Sequence, residues 1–198
     1  IVRFCTENSC RLIVDEAHST GIYGLEGRGL CVEMNIQDLV FARIHTFGKA
    51  MGCAGAIIAC SSELRDFLIN FSIPFIYSTA MPPVQVYNML FHLEYLRKNS
   101  HLISQFQSNI LSFKNKAIEH DMQDRFRNFN HILNLNIGDD GLSVEWMNIL
   151  CKNGFLVKAM LPPTVPEGAS SLRIIMHSTN NIEEIDNLFL HVKKLFLF

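Results

Sequence analysis

The 198-residue sequence has no surplus of positive charge: 17 Lys and Arg stand against 19 Asp and Glu, for a formal net charge of −2. Such a chain has no general attraction for a phosphate backbone, so nucleic acid is not expected as a partner. Its nearest approach to a basic run, Lys114–Lys116, is too short to form a patch. No C-x-x-C pair occurs either. The six cysteines, Cys5, Cys10, Cys31, Cys53, Cys60 and Cys151, fall at irregular spacings. That pattern argues against a disulfide framework or a metal site and leads us to expect buried free thiols in a reducing, cytoplasmic compartment. Phe67–His92 carries no Lys, Arg, Asp or Glu, but Pro74, Pro82 and Pro83 interrupt it. A membrane span wants about 20 mostly apolar residues, so none is expected there. No secretory signal and no initiator Met opens the chain, and the downstream piece of a longer protein is expected. The phosphate loop G-x-x-x-x-G-K-[ST] is also missing.

What is present can bury a core, with 48% hydrophobic and 18% charged residues. The opening IVRFC reads as strand-like. Arg11–Asp15 is predicted as a short strand ending on a carboxylate, Asp38–His45 as a second and Gly55–Cys60 as a third. Gly21, Gly24, Gly27 and Gly29 predict a flexible loop after the first. Short apolar strands alternating with helices and glycine loops indicate an α/β layer architecture. ELRDFLINF after Ser61 predicts a helix, and Pro82-Pro83 opens another over about 84–99, with Val84, Tyr87, Leu90, Phe91 and Tyr95 on one side. A helix over 101–120 follows. Then come strand His131–Ile137, helix Leu142–Lys152, strand Phe155–Ala159, strand Leu172–His177 and helix Ile182–Leu195, the last capped by Asn180 or Asn181. The change of style near 84–100 predicts a second, smaller α+β unit beginning there.

Functional residues of open α/β sheets gather at the carboxyl ends of strands, and two such ends stand out. LIVDEAHSTG, residues 12–21, closes the first strand on Asp15. Asp-Glu-Ala-His there is also how one branch of helicases writes its magnesium motif, but the arginine-and-glycine motif expected downstream is absent. The second end is Thr46–Lys49. Lys49 lies between Gly48 and Gly52 with little steric cover, and such a lysine can form a Schiff base with an aldehyde cofactor. Pyridoxal phosphate further needs a carboxylate at its pyridinium nitrogen, a donor at its phenolic oxygen and hydroxyls at its phosphate. Asp15, His18 and Thr46 could serve these in turn. By spacing alone the assignment stays open, because acids and lysines at strand ends are common.

VDEAHSTGIYGLEGRG followed by TFGKAMGCAGA resembles the α-oxoamine synthases, a pyridoxal-phosphate family of the aspartate-aminotransferase fold. YSTAMPPVQ, PPTVPEGASSLRI and EEIDNL look most like the members that join alanine to a pimeloyl thioester in biotin synthesis. The resemblance runs from about residue 10 to the C-terminus. It implies a fold-type-I large domain remnant over 1–83, an interdomain helix over 84–100 and a small C-terminal α+β domain over 101–198. It implies that Lys49 carries the cofactor and moves the α-proton. Asp15 would pair with the pyridinium nitrogen, His18 with the phenolic oxygen and Thr46 with the phosphate. Arg173 would grip the amino-acid carboxylate, and Ser78 and Thr79 match a segment that reaches the neighbouring subunit's cofactor in a homodimer. Sibling synthases, joining glycine to acetyl or succinyl thioesters or serine to a long acyl thioester, remain open, as does a non-catalytic remnant.

Each assignment has a plainer rival. Asp15 could cap its own turn, His18 could be a core histidine, Lys49 a surface lysine, and Arg173 could pair with Glu167. The sequence also departs from the family: Leu161 stands where a basic residue often precedes P-P-T-V-P, and Ala54 where a polar residue is common. Nothing matches the family's upstream phosphate loop or its ring-stacking group. The chain is therefore expected to be a C-terminal half that need not be active alone.

Overall fold

A computed structural model describes residues 1–197 and divides into two compact units, Ile1–Ile103 and Ser104–Phe198. The first begins with helix α1 (Val2–Glu7), where the opening residues read as strand-like. Arg3 donates to Glu7 at 2.8 Å one turn on, the spacing at which opposite charges support a helix. Among the described residues no strand pairs with this segment to hold it extended.

Strand β1 (Ile13–Asp15), helix α2 (Leu30–Glu33) and strands β2 (Ala42–Thr46) and β3 (Ala56–Cys60) follow, the sheet running β1-β2-β3. β1 pairs parallel to β2 with Asp15 opposite Ile44, and β3 pairs antiparallel with Ala56 opposite Thr46. The second strand starts later than predicted because Gln37–Leu39 closes a 3-10 turn. Helices α3 (Ser62–Phe71), α4 (Ile73–Ile76) and α5 (Pro83–Lys98) complete the unit. The Ser61 hydroxyl caps α3 by accepting from the Leu64 amide at 3.3 Å.

α5 has the predicted extent but buries a different face. Val84, Tyr87, Leu90, Phe91 and Tyr95 are exposed, while Met89 is buried, with His92 and Leu96 half-buried on the same side. Met89 joins Phe47, Met51 and Cys53 in a small core, and Leu96 packs against it. The period was legible, but both faces of this helix are apolar, so hydrophobicity alone does not say which one turns inward. Cysteine burial also differs from expectation. All six thiols are free, yet only Cys31 and Cys53 are buried. Cys151 follows the fully buried Leu150 on a helix, and the 100° step between neighbours turns it outward.

Helix α6 (His101–Glu119) opens in the last residues of the first unit and lies mostly in the second. Strand β4 (Ile132–Gly138), helix α7 (Asp140–Lys152), strands β5 (Lys158–Met160) and β6 (Ser170–Ile175) and helix α8 (Ile182–Leu195) follow. The sheet is antiparallel in the order β4-β6-β5. Side chains alternate across a strand, and Leu133, Leu135, Leu172 and Ile174 all point to one face. There they meet Phe113, Trp146, Leu150 and Phe189 from α6, α7 and α8. Phe113 and Phe189 pack with ring centroids 4.8 Å apart.

Asn181 rather than Asn180 caps α8, in a reciprocal pair with Glu184: the Glu184 amide donates to Asn181 Oδ1 at 2.9 Å and the Asn181 amide to Glu184 Oε2 at 3.2 Å. Asn109, buried on α6, donates to the carbonyls of His177, Ser178 and Asn180 and so ties down the turn before that helix.

Leu172 has no exposed surface and sits in register between Leu135 and Ala159. Leu172→Ala should destabilise the second unit by about 2–5 kcal/mol, read as a lower urea midpoint with an unchanged slope.

Candidate active site

The carboxyl ends of β1 and β2 lie side by side, and the ladder runs one residue past β1, the Glu16 amide donating to the Ile44 carbonyl at 2.8 Å. Asp15 is therefore the last strand residue before the chain turns. Its Oδ1 accepts from the Ala17 amide at 2.8 Å, so the carboxylate does cap the turn, with one oxygen. It stays exposed, as does His18 three residues on.

The pair Asp15-Glu16 splits its duties by strand alternation: the first acid faces out and the second is 1% exposed. Glu16 accepts from the amides of Leu30 at 2.7 Å and Cys31 at 2.8 Å and from the Ser19 hydroxyl. Burial on its own raises a carboxyl pKa. Here the bonds from the Cys31 thiol, Ser19 and the Cys31 and Leu30 amides outweigh it and hold Glu16 below the usual carboxylate range. The Cys31 thiol is in turn pushed up to about 12, by burial first and then by the neighbouring Glu16 charge.

Glu16 thus pins the far end of the glycine loop. Gly29 sits at φ +103°, and a Cβ there would lie 2.7 Å from the Glu16 carboxylate, so only glycine lets the backbone approach this closely. Between the pinned ends the Gly21 amide donates to the Gly27 carbonyl and the Gly29 amide to the Tyr23 carbonyl, each at 2.8 Å. The segment predicted as a flexible loop is a closed, hydrogen-bonded turn.

Thr20 links this turn to β2. Its hydroxyl donates to the Glu16 carbonyl at 2.7 Å and meets His45 Nδ1 at 2.9 Å. A hydroxyl has one proton to donate, so the geometry assigns the ring proton to Nδ1, with His45 donating to Thr20. His45 is held below the ordinary value of 6.5, chiefly by burial and then by the Arg43 charge, with Glu16 acting in the opposite direction.

Thr46 ends β2, and the loop beyond it is closed by its own backbone: Phe47 donates to Gly55, Cys53 to Phe47 and Gly52 to Lys49, each at 2.9 Å. Phe47, Met51 and Cys53 are buried and anchor the loop, which leaves Lys49 exposed at its crown. A Cβ added at Gly48 or Gly52 would meet nothing within 4 Å, so the space around Lys49 is open.

Asp15, His18, Thr46 and Lys49 therefore share one edge of the first sheet. Ser78 and Thr79 follow α4 in the same unit and are exposed, the Ser78 hydroxyl donating to Phe75 O at 3.0 Å. Arg173 belongs to the second unit, half-buried on β6. Among the described residues it makes no ion pair with Glu167, and its Nε is buried without a hydrogen-bond partner. Sequence reasoning missed Glu16, Thr20 and His45. The strand alternation that exposes Asp15 was the signal available for Glu16, while nothing local pairs Thr20 with a histidine 25 residues away.

Residues 1–188 match the family model described as aminotransferase class I and II. The chain belongs to this family. It is 34% identical over 182 residues to an 8-amino-7-oxononanoate synthase from Emericella nidulans, covering 89% of this chain and 44% of that protein. A Yersinia pseudotuberculosis protein of the same name is 36% identical over 177 residues, covering 89% and 45%. The chain thus spans less than half the length of these curated relatives. Its structure resembles the crystal structure of the Francisella tularensis 8-amino-7-oxononanoate synthase with a TM-score of 0.83 at 26% identity, over 98% of this chain and 57% of that one. The fold is that of the aminotransferase-like α/β family.

Two outcomes follow from the buried network. Glu16→Gln turns an amide donor toward either the Leu30 or the Cys31 amide, which lie on different oxygens of the carboxylate, and hydrogen exchange at the amide so faced should quicken by about tenfold or more. His45 binds its proton less readily folded than unfolded, so its contribution to stability is present above the ordinary value of 6.5 and is lost as the pH falls through the lower folded value. Urea midpoints of the native chain and His45→Gln, compared between about pH 7.5 and 5, should therefore converge on acidification.

Proposed function

We propose that the chain is part of a pyridoxal-phosphate-dependent acyltransferase of the α-oxoamine synthase type. Its reaction joins L-alanine to a pimeloyl thioester, carried on coenzyme A or a carrier protein, and releases carbon dioxide and the free thiol to leave an α-amino ketone. The observation that carries this reading is the shared strand edge: Asp15 and Thr46 at neighbouring carboxyl ends, with Lys49 exposed just beyond. Sequence identity to proteins named 8-amino-7-oxononanoate synthase supports the choice of substrates.

The residues present fit the cofactor. Lys49 stands in open space between two glycines, and Asp15 is held by one oxygen to the Ala17 amide. When bound, pyridoxal phosphate supplies an aldehyde for amines and an electron sink for charge left on the substrate α-carbon. The chain's own residues do the rest. Asp15 would hold the proton on the pyridinium nitrogen, His18 would donate to the phenolic oxygen, and the Thr46 hydroxyl would donate to the phosphate. Lys49 would hold the cofactor and, as a free amine, would take and later return the proton at the substrate α-carbon. Arg173 holds the substrate carboxylate through its planar fork; its unpartnered Nε is the kind of donor that role requires. Ser78 and Thr79 serve the cofactor of a second subunit in a homodimer, and the enzyme works in the cytoplasm.

Borohydride reduction in the presence of pyridoxal phosphate should fix one cofactor to the chain, on the peptide containing Lys49. Lys49→Ala should lose this label. Undiminished labelling of the variant would remove Lys49 from the role.

A further inference from the structure

We propose that Lys158 is the second cationic contact of a carboxylate-binding face on β4-β6-β5, acting beside Arg173. This rests on the reading of Arg173 as a carboxylate-holding residue and adds a residue that determines what the face accepts.

The placement follows from strand alternation. Leu172 and Ile174 point into the core of the second unit, so Arg173 points to the opposite face of β6. Its register partners are Asn134 on β4 and Lys158 on β5. Leu133 and Leu135 flank Asn134 and are fully buried, and Ala159 pairs with the core residue Leu172. Asn134, Arg173 and Lys158 thus form one row across three strands, on the side away from the helices.

A row of this kind is costly as it stands. Like charges directly opposite each other on an antiparallel pair repel, and among the described residues neither Arg173 nor Lys158 makes an ion pair. A third cation, Arg127, reaches the same sheet from the β4 side, where its Nε donates to Asn136 Oδ1 at 2.7 Å. Among the described residues no carboxylate pairs with any of the three cations, and the buried Arg173 Nε has no acceptor. A bound carboxylate relieves all of this at once. Its two oxygens accept from the guanidinium fork, and the Lys158 ammonium, a point charge on a flexible stem, closes on the same anion. Lys158 also supplies a cation near the loop whose Leu161 stands where a basic residue was expected.

A carboxylate here has two sources, the amino acid and the far end of a dicarboxylic acyl chain, and the test separates them. The 15N-labelled chain is titrated with L-alanine and, separately, with heptanedioate, following the Arg173 Nε–H resonance assigned through Arg173→Lys. L-Alaninol, which has no carboxylate, is the control. We expect a saturable shift with a carboxylate probe and none with L-alaninol. Lys158→Met should weaken that binding about tenfold, the effect of losing one charged hydrogen bond, and Lys158→Arg should restore it. Lys158 is exposed, and an unchanged spectrum elsewhere verifies that the variants fold. Equal affinity in the native chain and Lys158→Met overturns the role of Lys158 and leaves Arg173 intact. A Lys158-dependent shift with heptanedioate but not L-alanine keeps the face and overturns Arg173 as the amino-acid grip. No shift with either probe overturns both.

Discussion

The carboxylate of Glu16, almost wholly removed from water, is where the first unit converts a strand end into a chemical edge. Left alone, a buried carboxylate would take up a proton or pull the surrounding chain open. Here two amides, a hydroxyl and a thiol converge on it. Because those donors come from residues 19, 30 and 31, one side chain fixes the start and the end of the glycine turn together. Asp15 and His18 sit on either side of this anchor in sequence and face outward. Their positions depend on a neighbour that is itself almost wholly buried.

The same economy of alternation organises the second unit. One face of the β4-β6-β5 sheet is leucine and isoleucine under three helices, and the other carries Asn134, Arg173 and Lys158. Shifting β6 by a single residue would exchange the two sets, which would place a guanidinium in the core and expose Leu172. The buried face therefore protects the register on which the polar face depends. Asn109, by binding three carbonyls before α8, keeps the end of β6 and the start of that helix in place.

Most elements of regular structure were legible because their signals are local. Short apolar runs marked β2, β3, β4 and β6, and an asparagine at 180 or 181 followed by Glu183 and Glu184 marked the start of α8. The opening helix was misread because Ile1, Val2 and Phe4 favour a strand only where another strand is there to pair with them. The inward face of α5 was not legible because its apolar residues surround the helix, and the choice fell to Met89 and Leu96, which meet Phe47, Met51 and Gly27.

For the candidate site, the sequence by itself put forward the residues. Asp15, His18, Thr46 and Lys49 are readable because each lies at or just beyond a strand end, and their surrounding motifs resemble one family. Tertiary structure alone decided what holds them. That Asp15 and Thr46 end adjacent parallel strands, that Glu16 rather than Asp15 is buried, and that Thr20 meets His45 are all consequences of pairing between distant segments. Hydrophobic period and turn chemistry act over a few residues, whereas strand partners and buried polar bonds are selected only when the whole unit closes.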